Sequence, residues 1–569
     1  MKTTFPFQWI VPAILLVMPL VTPAQHTDIP FDKKVQGHHE VPDNPYMPGP
    51  AGKGTTGYSH RLKTTGFTMV QVNVDANGQN IVGDAANEPS MAINLLDPTK
   101  IVIGWRQFDN VNSNFRQAGY GYSADGGLTW TFPGKINPGI FRSDPVLGSD
   151  SSGVIYYNSL TLNLGNYLTR VFRSTDGGAT WDAGVDAHGG DKQWMTIDRS
   201  GGIGLGNIYS SWTSYYSSCQ PGFFTRSTDG GNSYQNCLYI TGEPYWGTMT
   251  VGNNGELYIT GAGSWGSAVV VKSINARDPG SVPGWASSVQ VDLDGYIAYG
   301  ELVNPDGLLG QVNIDVDRST GPGRDNVYVL ASVVRYSNAD SADVMFSKST
   351  DGGLHWSTPK RINDDQVTNN YQWFGTMSVA PNGRIDAVWL DTRDSPPDSL
   401  LSALYYSYSL DQGETWSANE KLSPLFDSHV GWPNQRKMGD YFDMKSDENG
   451  AHLAWTNTLN GEEDVYYSYI TIITGIEPDQ GEANRYSLAC SPNPFLAQTT
   501  IQYKTPSAGP VTLSIFTVYG QEIKVLVEKV QPAGSYSILL PGDGLPAGFY
   551  LCRLKAGSHT ETTRMVRLK

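Results

Sequence analysis

Ser123-Ala-Asp125-Gly-Gly-Leu-Thr-Trp130 is the stretch that decides the fold, because the chain writes it again four times. The other copies are Ser174-Thr-Asp176-Gly-Gly-Ala-Thr-Trp181, Ser227-Thr-Asp229-Gly-Gly-Asn-Ser-Tyr234, Ser349-Thr-Asp351-Gly-Gly-Leu-His-Trp356 and Ser409-Leu-Asp411-Gln-Gly-Glu-Thr-Trp416. A fixed element returning every 50 to 60 residues marks a repeat architecture. Each copy lies between strand-like runs, the first between Gly119-Tyr-Gly-Tyr122 and Thr129-Trp-Thr-Phe132. Asp bonds backbone N–H groups a few residues on, Gly supplies positive φ, and the aromatic ring packs back on the sheet. Each octet is therefore a hairpin turn.

Aligned on these turns, the chain from about residue 65 to 474 divides into four-strand modules. Inner strands begin near Glu88, Asp144, Asp191, Tyr245, Gln311, Gln372 and Asp440, which makes seven modules, with six as the rival count. The fourth module has lost its turn motif around Lys272–Asp278; Asp229 and Asp351 are 122 residues apart, about two module lengths. The seventh stops after three strands. Phe67-Thr-Met-Val-Gln-Val-Asn-Val74 is a spare strand ahead of the first, and pairing the two closes a ring without exposed edges. The octets resemble the Asp boxes, or BNR repeats, of the sialidase superfamily. That resemblance implies an all-β propeller of the Asp-box type.

The 569 residues carry 63 Gly, 31 Tyr and 15 Trp but only 17% charged side chains, which suits a turn-rich β protein. A formal charge of −16 speaks against a nucleic-acid partner, which needs a basic surface. Met1-Lys2 followed by an apolar run to Val21 and Thr22-Pro23-Ala24 reads as a signal peptide over residues 1–24, too short for a membrane span. Residues 25–64 read as a linker or disordered arm, and no transmembrane span is expected in the mature chain. Cys219 and Cys237 flank the third box, so export predicts a structural disulfide between them.

After a linker at residues 475–486 the style changes. Ser487-Leu-Ala-Cys-Ser-Pro-Asn-Pro-Phe495, central Gly520 and Leu545-Pro-Ala-Gly-Phe-Tyr550 belong to about seven short strands over residues 487–569, a small β-sandwich. This segment resembles the C-terminal sorting domain of the type IX secretion system. The resemblance implies passage across an outer membrane, removal of the domain, and secretion or attachment at the cell surface, with the secretion machinery as a partner.

In an antiparallel module the box turn lies on the face opposite to the start of the inner strand. Asp125, Asp176, Asp229, Asp351 and Asp411 are therefore expected to be structural. The other face collects Asp144, Asp191, Asp391 and Asp440 as candidate catalytic acids, with Glu88, Arg106, Trp194, Trp246, Gln372, Trp373 and Arg393 as candidate glycan contacts. Carboxylates do acid/base work, Arg pairs with anionic groups, and flat rings cover sugar C–H faces. Trp105, Trp212, Trp389 and Trp455 recur late in second strands and are expected to be blade packing. The sialidase family's Arg-Ile-Pro motif has no match; the nearest string is Phe141-Arg-Ser-Asp-Pro145. Arg106, Arg142 and Arg393 can be nominated as an arginine clamp, and Tyr371 or Tyr441 as nucleophile, without a motif that fixes them. No cofactor is expected, although a ring of Asp and Glu at the axis suits Ca²⁺. The preferred expectation is an exported propeller that binds glycans or surface polymers without turnover. A glycoside hydrolase or lyase on an anionic or plant-type polysaccharide, and a protein-binding scaffold, are the alternatives.

Overall fold

The computed structural model describes residues 44–50, 57, 59–62, 66–471 and 487–568, apart from 164, 264–265, 338–339, 367–368, 494, 506, 518–520 and 558. The expected signal peptide, most of the arm and the linker at 475–486 lie outside the described residues. The chain divides into two compact units, Met1–Ile472 and Ile473–Lys569.

The first unit is a β-propeller. Seven sheets are seen among its described residues. Their innermost strands are Ala85–Ile93, Ser143–Ser149, Trp194–Ile197, Met249–Val251, Asn313–Val316, Gln372–Val379 and Asp443–Ser446. Each of these lies against the next in chain order, and the last lies against the first. The ring closes where Phe67–Gln71 pairs antiparallel with Asp464–Thr471, Phe67 opposite Ile470 and Gln71 opposite Tyr466. Ser59–Leu62, within the stretch expected to be irregular, adds a strand outside Phe67–Gln71.

Burial grades outward across each blade. The second strand of the first blade, Ile101–Phe108, is buried throughout, whereas its outermost strand, Thr131–Ile136, is mostly part-exposed. A strand covered on both faces by neighbouring blades reads as a continuous apolar run, here Ile101-Val-Ile-Gly-Trp105, before Arg106 and Gln107 at its end. Trp105, Trp212, Trp389 and Trp455 are buried in these contacts, as expected of blade packing.

The octets form one turn five times. In the first, Ser123 Oγ accepts from the Gly127 amide at 2.9 Å, while Asp125 accepts from the Thr129 amide at 2.9 Å and the Thr129 hydroxyl at 2.6 Å. The same two backbone-amide bonds recur around Asp176, Asp229, Asp351 and Asp411. The second glycine has positive φ and also touches the preceding blade: a Cβ on Gly127 would stand 2.1 Å from Tyr467. Gly126 accordingly bonds Thr99, in the turn between first and second strands, far from the inner-strand start. In the fourth blade Ser273 and Asn275 occupy the lost box and retain a 3.2 Å hydrogen bond.

The second unit is a sandwich of a three-stranded sheet, containing Ser487–Ser491, Gln498–Thr505 and Gly534–Pro541, and a four-stranded one. Ile501, Leu513, Ile515, Leu554 and Met565 form its buried core.

Candidate functional site

Every blade enters its inner strand through one residue of left-handed backbone. Glu88, Asp144, Lys192, Trp246 and Phe374 have φ between 48° and 56°, and Gly310 and Gly439 take the same place at 134° and 94°. Such φ values are unfavourable for a side chain by about 1–3 kcal/mol each and persist only where surrounding structure enforces them. In the first, second and sixth blades the strand register shifts at this point, the sign of a bulge that re-aims a side chain. The result is a ring of side chains aimed at the centre.

Those side chains form one ion network. Lys192 Nζ lies 2.8 Å from Asp440, 3.3 Å from Asp144 and 3.8 Å from Asp191. Lys437 Nζ lies 2.8 Å from Asp440 and 3.4 Å from Glu88, which also meets Arg106 at 3.3 Å. Tyr441 crosses the centre, its hydroxyl donating to the Pro145 carbonyl at 2.9 Å and its ring packed edge-on against Trp194 at 5.4 Å. Burial pushes the Glu88 carboxyl well above the usual range against the pull of Arg106, Lys192 and Lys437. Burial, with Glu88 and Asp144 nearby, raises the Tyr441 hydroxyl likewise.

Two loops roof this network. Asn304 donates to the Gly439 carbonyl at 2.8 Å and accepts from the Met438 amide at 3.0 Å, and the Leu308 amide donates to Asp440 at 2.8 Å. Arg436 pairs with Asp306 at 2.9 Å, and the ring of His429 bonds the Leu302 carbonyl at 2.9 Å. Asp144, Asp191, Asp440, Glu88 and Arg106 are consequently at most 1% exposed. They converge as the sequence suggests, but as a roofed, charge-balanced cluster, and in this structure they do not meet solvent.

The remaining candidates are placed elsewhere or otherwise engaged. Asp391 is not in the axial cluster: it pairs with Arg393 at 2.8 Å and accepts from Trp389 Nε1 at 2.8 Å. Gln372 is buried and bonds Asp391 and Asn363. Trp194, Trp246 and Trp373 are buried core rings rather than open platforms, because the roofing loops and adjacent blades cover them. Arg142 turns away from the centre, its guanidinium 4.7 Å from the Phe172 ring centre between blades. The nominated clamp of Arg106, Arg142 and Arg393 is therefore scattered. Tyr371 donates to Glu301 at 3.4 Å and Tyr441 has Glu88 and Asp144 nearby, so each has an acid beside it, but both rings are buried and in this structure neither opens to solvent.

Arg393, Asp391 and Gln372 border a second cluster, on the same side of blades five and six, whose other members the sequence reading did not name. Asp343 pairs with Arg335 at 2.5 Å and with Arg361 at 3.5 Å, and Asn363 bonds Asp343 and Asp365 at 2.6 and 2.7 Å. Arg393 reaches Asp364 at 2.6 Å and Asp365 at 3.7 Å. This chain of charges comes to the surface: Arg361 and Asp364 are partly exposed and Tyr336, beside Arg335, is 61% exposed. Burial, with Asp343 and Asp365 nearby, raises Asp340 to about 6. The run Arg361-Ile-Asn-Asp-Asp365 was the available signal.

Cys219 and Cys237 form a disulfide, Cα atoms 6.3 Å apart, tying the loop before the third box to the segment after it. Among the described residues these two and His188 are the only group of three His, Cys, Asp or Glu whose ligand atoms lie within 4.8 Å of one another, and the disulfide occupies both sulfurs.

Residues 490–568 match the family described as the secretion system C-terminal sorting domain. The chain carries a type IX sorting domain. It directs the protein to the cell surface or the extracellular space. Among the described residues no helix is long and apolar enough to cross a membrane. No curated protein sequence matches the chain. Solved structures similar to it include a protein of unknown function from Dyadobacter fermentans, 14% identical, covering 71% of this chain and 98% of that one at TM-score 0.40. A Trypanosoma rangeli sialidase is 11% identical, with 89% of each chain covered at TM-score 0.36. An α-L-arabinanase from Penicillium chrysogenum is 12% identical, covering 74% and 92% at TM-score 0.29. At these identities nothing of their chemistry transfers.

Proposed function

We propose that the protein is an exported propeller that holds an anionic glycan or surface polymer without cleaving it, on the rim of blades five and six. The observation that carries this reading is the contrast between the two clusters. At the centre, the acids are enclosed and balanced by Lys192, Lys437 and Arg106. A facing pair of solvent-reached carboxylates, which most glycoside hydrolysis uses, is not what they form. On the rim, Arg361 is partly exposed and paired to Asp343 only at 3.5 Å, and Tyr336 of the same blade is exposed, group types suited to carboxylated or sulfated sugars.

Affinity electrophoresis of the mature chain against a panel of neutral and anionic polysaccharides tests this. Retardation by an anionic polymer that weakens about tenfold in Arg361→Ala and in Tyr336→Ala is the expected result; a single lost anchoring contact is worth about 1.4 kcal/mol or more. Binding that ignores both substitutions would place the site elsewhere.

One observation favours a second reading, a hydrolase or lyase working on that rim. Asp340, raised to about 6 beside Asp343 and Asp365, has the character of a general acid. Turnover of a bound polymer that Asp340→Asn abolishes would establish it.

A further inference from the structure

The disulfide of the third blade has an imidazole beside it. The sulfurs of Cys219 and Cys237 and a ring nitrogen of His188 all lie within 4.8 Å of one another, and each of the three residues is half-buried. Among the described residues the His188 ring forms no hydrogen bond or ion pair.

The backbone holds this arrangement without help from the sulfur–sulfur bond. His188 has φ 55°, a left-handed conformation in which His is over-represented. Its carbonyl accepts from the Thr169 hydroxyl at 2.9 Å. The Ser218 amide donates to the Gly189 carbonyl at 2.8 Å, which ties the residue after His188 to the residue before Cys219. On the other side the Gly222 amide donates to the Cys219 carbonyl at 3.0 Å, and Leu238 pairs with Phe224 through amide–carbonyl bonds of 2.8 and 3.1 Å. A Cβ on Gly222 would stand 2.7 Å from the Cys237 Cβ, so the two segments run in contact.

Opening the disulfide therefore leaves two thiols and an unengaged imidazole around one point. Tetrahedral Zn²⁺, with bonds of about 2.3 Å to sulfur and about 2.0 Å to nitrogen, sets its ligand atoms about 3.5–3.8 Å apart. That spacing fits inside the cluster, and Cα atoms 6.3 Å apart let the sulfurs reach it by side-chain rotation. Two thiolates and an imidazole are a donor set that Zn²⁺ favours, and half-exposure leaves the fourth position to water. We propose that Cys219, Cys237 and His188 form a redox-gated zinc site: the reduced chain binds Zn²⁺ through both thiolates and the imidazole, and disulfide formation releases the ion. An exported chain starts in a reducing compartment and finishes in an oxidising one, so it passes through both states. Binding expels the two thiol protons. In release, a small-molecule or protein disulfide accepts two electrons from the two bound thiolates and becomes two thiolates itself. The new Cys219–Cys237 bond then leaves Zn²⁺ without its sulfur ligands.

The test uses the mature full chain, its disulfide opened with a phosphine while water gives two protons to the thiols and its oxygen to the phosphine. Co²⁺ is the probe, because thiolate ligation gives it a charge-transfer band and tetrahedral geometry intensifies its visible bands. The reduced chain should take up one Co²⁺ more than the oxidised chain, and Zn²⁺ should displace it. Oxidised glutathione should then release one Zn²⁺ for each Cys219–Cys237 bond formed. Cys219→Ser combined with Cys237→Ser should abolish the uptake. His188→Asn, which suits the same left-handed backbone, should weaken it at least about tenfold, and Cys490→Ala in the second unit should leave it unchanged. If the double variant fails to fold, His188→Asn and the wild-type comparison still decide. Equal uptake by reduced and oxidised chains, or a reduced wild-type chain that unfolds with Co²⁺ present, would overturn the proposal. So would uptake that His188→Asn leaves unchanged, or that Cys490→Ala removes.

Discussion

Replacing Lys192 with Met tests whether the axial network is a structural keystone. The substitution keeps the length of the side chain and the same backbone position at φ 56°, so strain is held constant and only the ammonium is lost. Three carboxylates lie 2.8, 3.3 and 3.8 Å from that ammonium, and all are buried. Asp440 keeps Lys437 at 2.8 Å, whereas Asp144 is left with hydrogen bonds from the Ser143 hydroxyl and the residue-192 amide at 2.6 and 3.1 Å. Breaking a buried pair by removing one partner costs about 3–5 kcal/mol, and the stranded acid takes up a proton instead. In the variant the Asp144 carboxyl is therefore raised when folded. Its folded state binds more protons than its unfolded state, so the variant is relatively more stable at acid pH and loses that stability as pH rises from about 4. Urea titrations at several pH values, followed by tryptophan fluorescence, measure this. Lys192→Met should lose about 3–5 kcal/mol at neutral pH, less near pH 4, and recover part of it when combined with Asp144→Asn. A loss under about 1 kcal/mol, or one independent of pH, would mean that Lys192 does not hold the axial acids.

Other consequences are as direct. Gly127→Ala puts a Cβ 2.1 Å from Tyr467 of the adjoining blade, whereas Gly126→Ala meets nothing within 4 Å although its φ is 75°. Thermal melts should show Gly126→Ala costing about 1 kcal/mol and Gly127→Ala clearly more, about 3 kcal/mol. Because Asp340 titrates near 6, binding of an anionic polymer to the rim should tighten as pH falls through that value, and Asp340→Asn should flatten the profile. The thiols of Cys490 and Cys552 adjoin across the second unit. A disulfide reagent, accepting their two electrons, should link them, and mass spectrometry after tryptic digestion would read the cross-linked pair.

The parts of the fold that were legible in the sequence are those fixed locally. An Asp box is completed within eight residues, so five copies announced the repeat, and the missing one at Ser273–Asn275 was found by spacing. The pairing of Phe67–Gln71 with the last blade was legible because an apolar strand with no module of its own needs an edge. The site was legible only in direction. Glu88, Asp144 and Asp440 do converge, but their burial depends on residues 302–308 and 428–439, which carry no pattern and act across more than a hundred residues. Lys192 was within reach: it holds the module position of Glu88 and Asp144, and alignment on that position shows a cation facing two acids. The Asp391–Arg393 pair sits two residues apart on one strand end, which satisfies the pair locally instead of sending either side chain to the centre.

Capture of a polymer without cutting it is directly measurable. The most direct measurement incubates the mature chain with the polysaccharide it retains best, and follows bound fraction and new reducing or unsaturated ends in the same sample. Saturable binding, weakened by Arg361→Ala, with no new ends over many equivalents of bound polymer, is the predicted result. Accumulating ends that vanish in Asp340→Asn would contradict it.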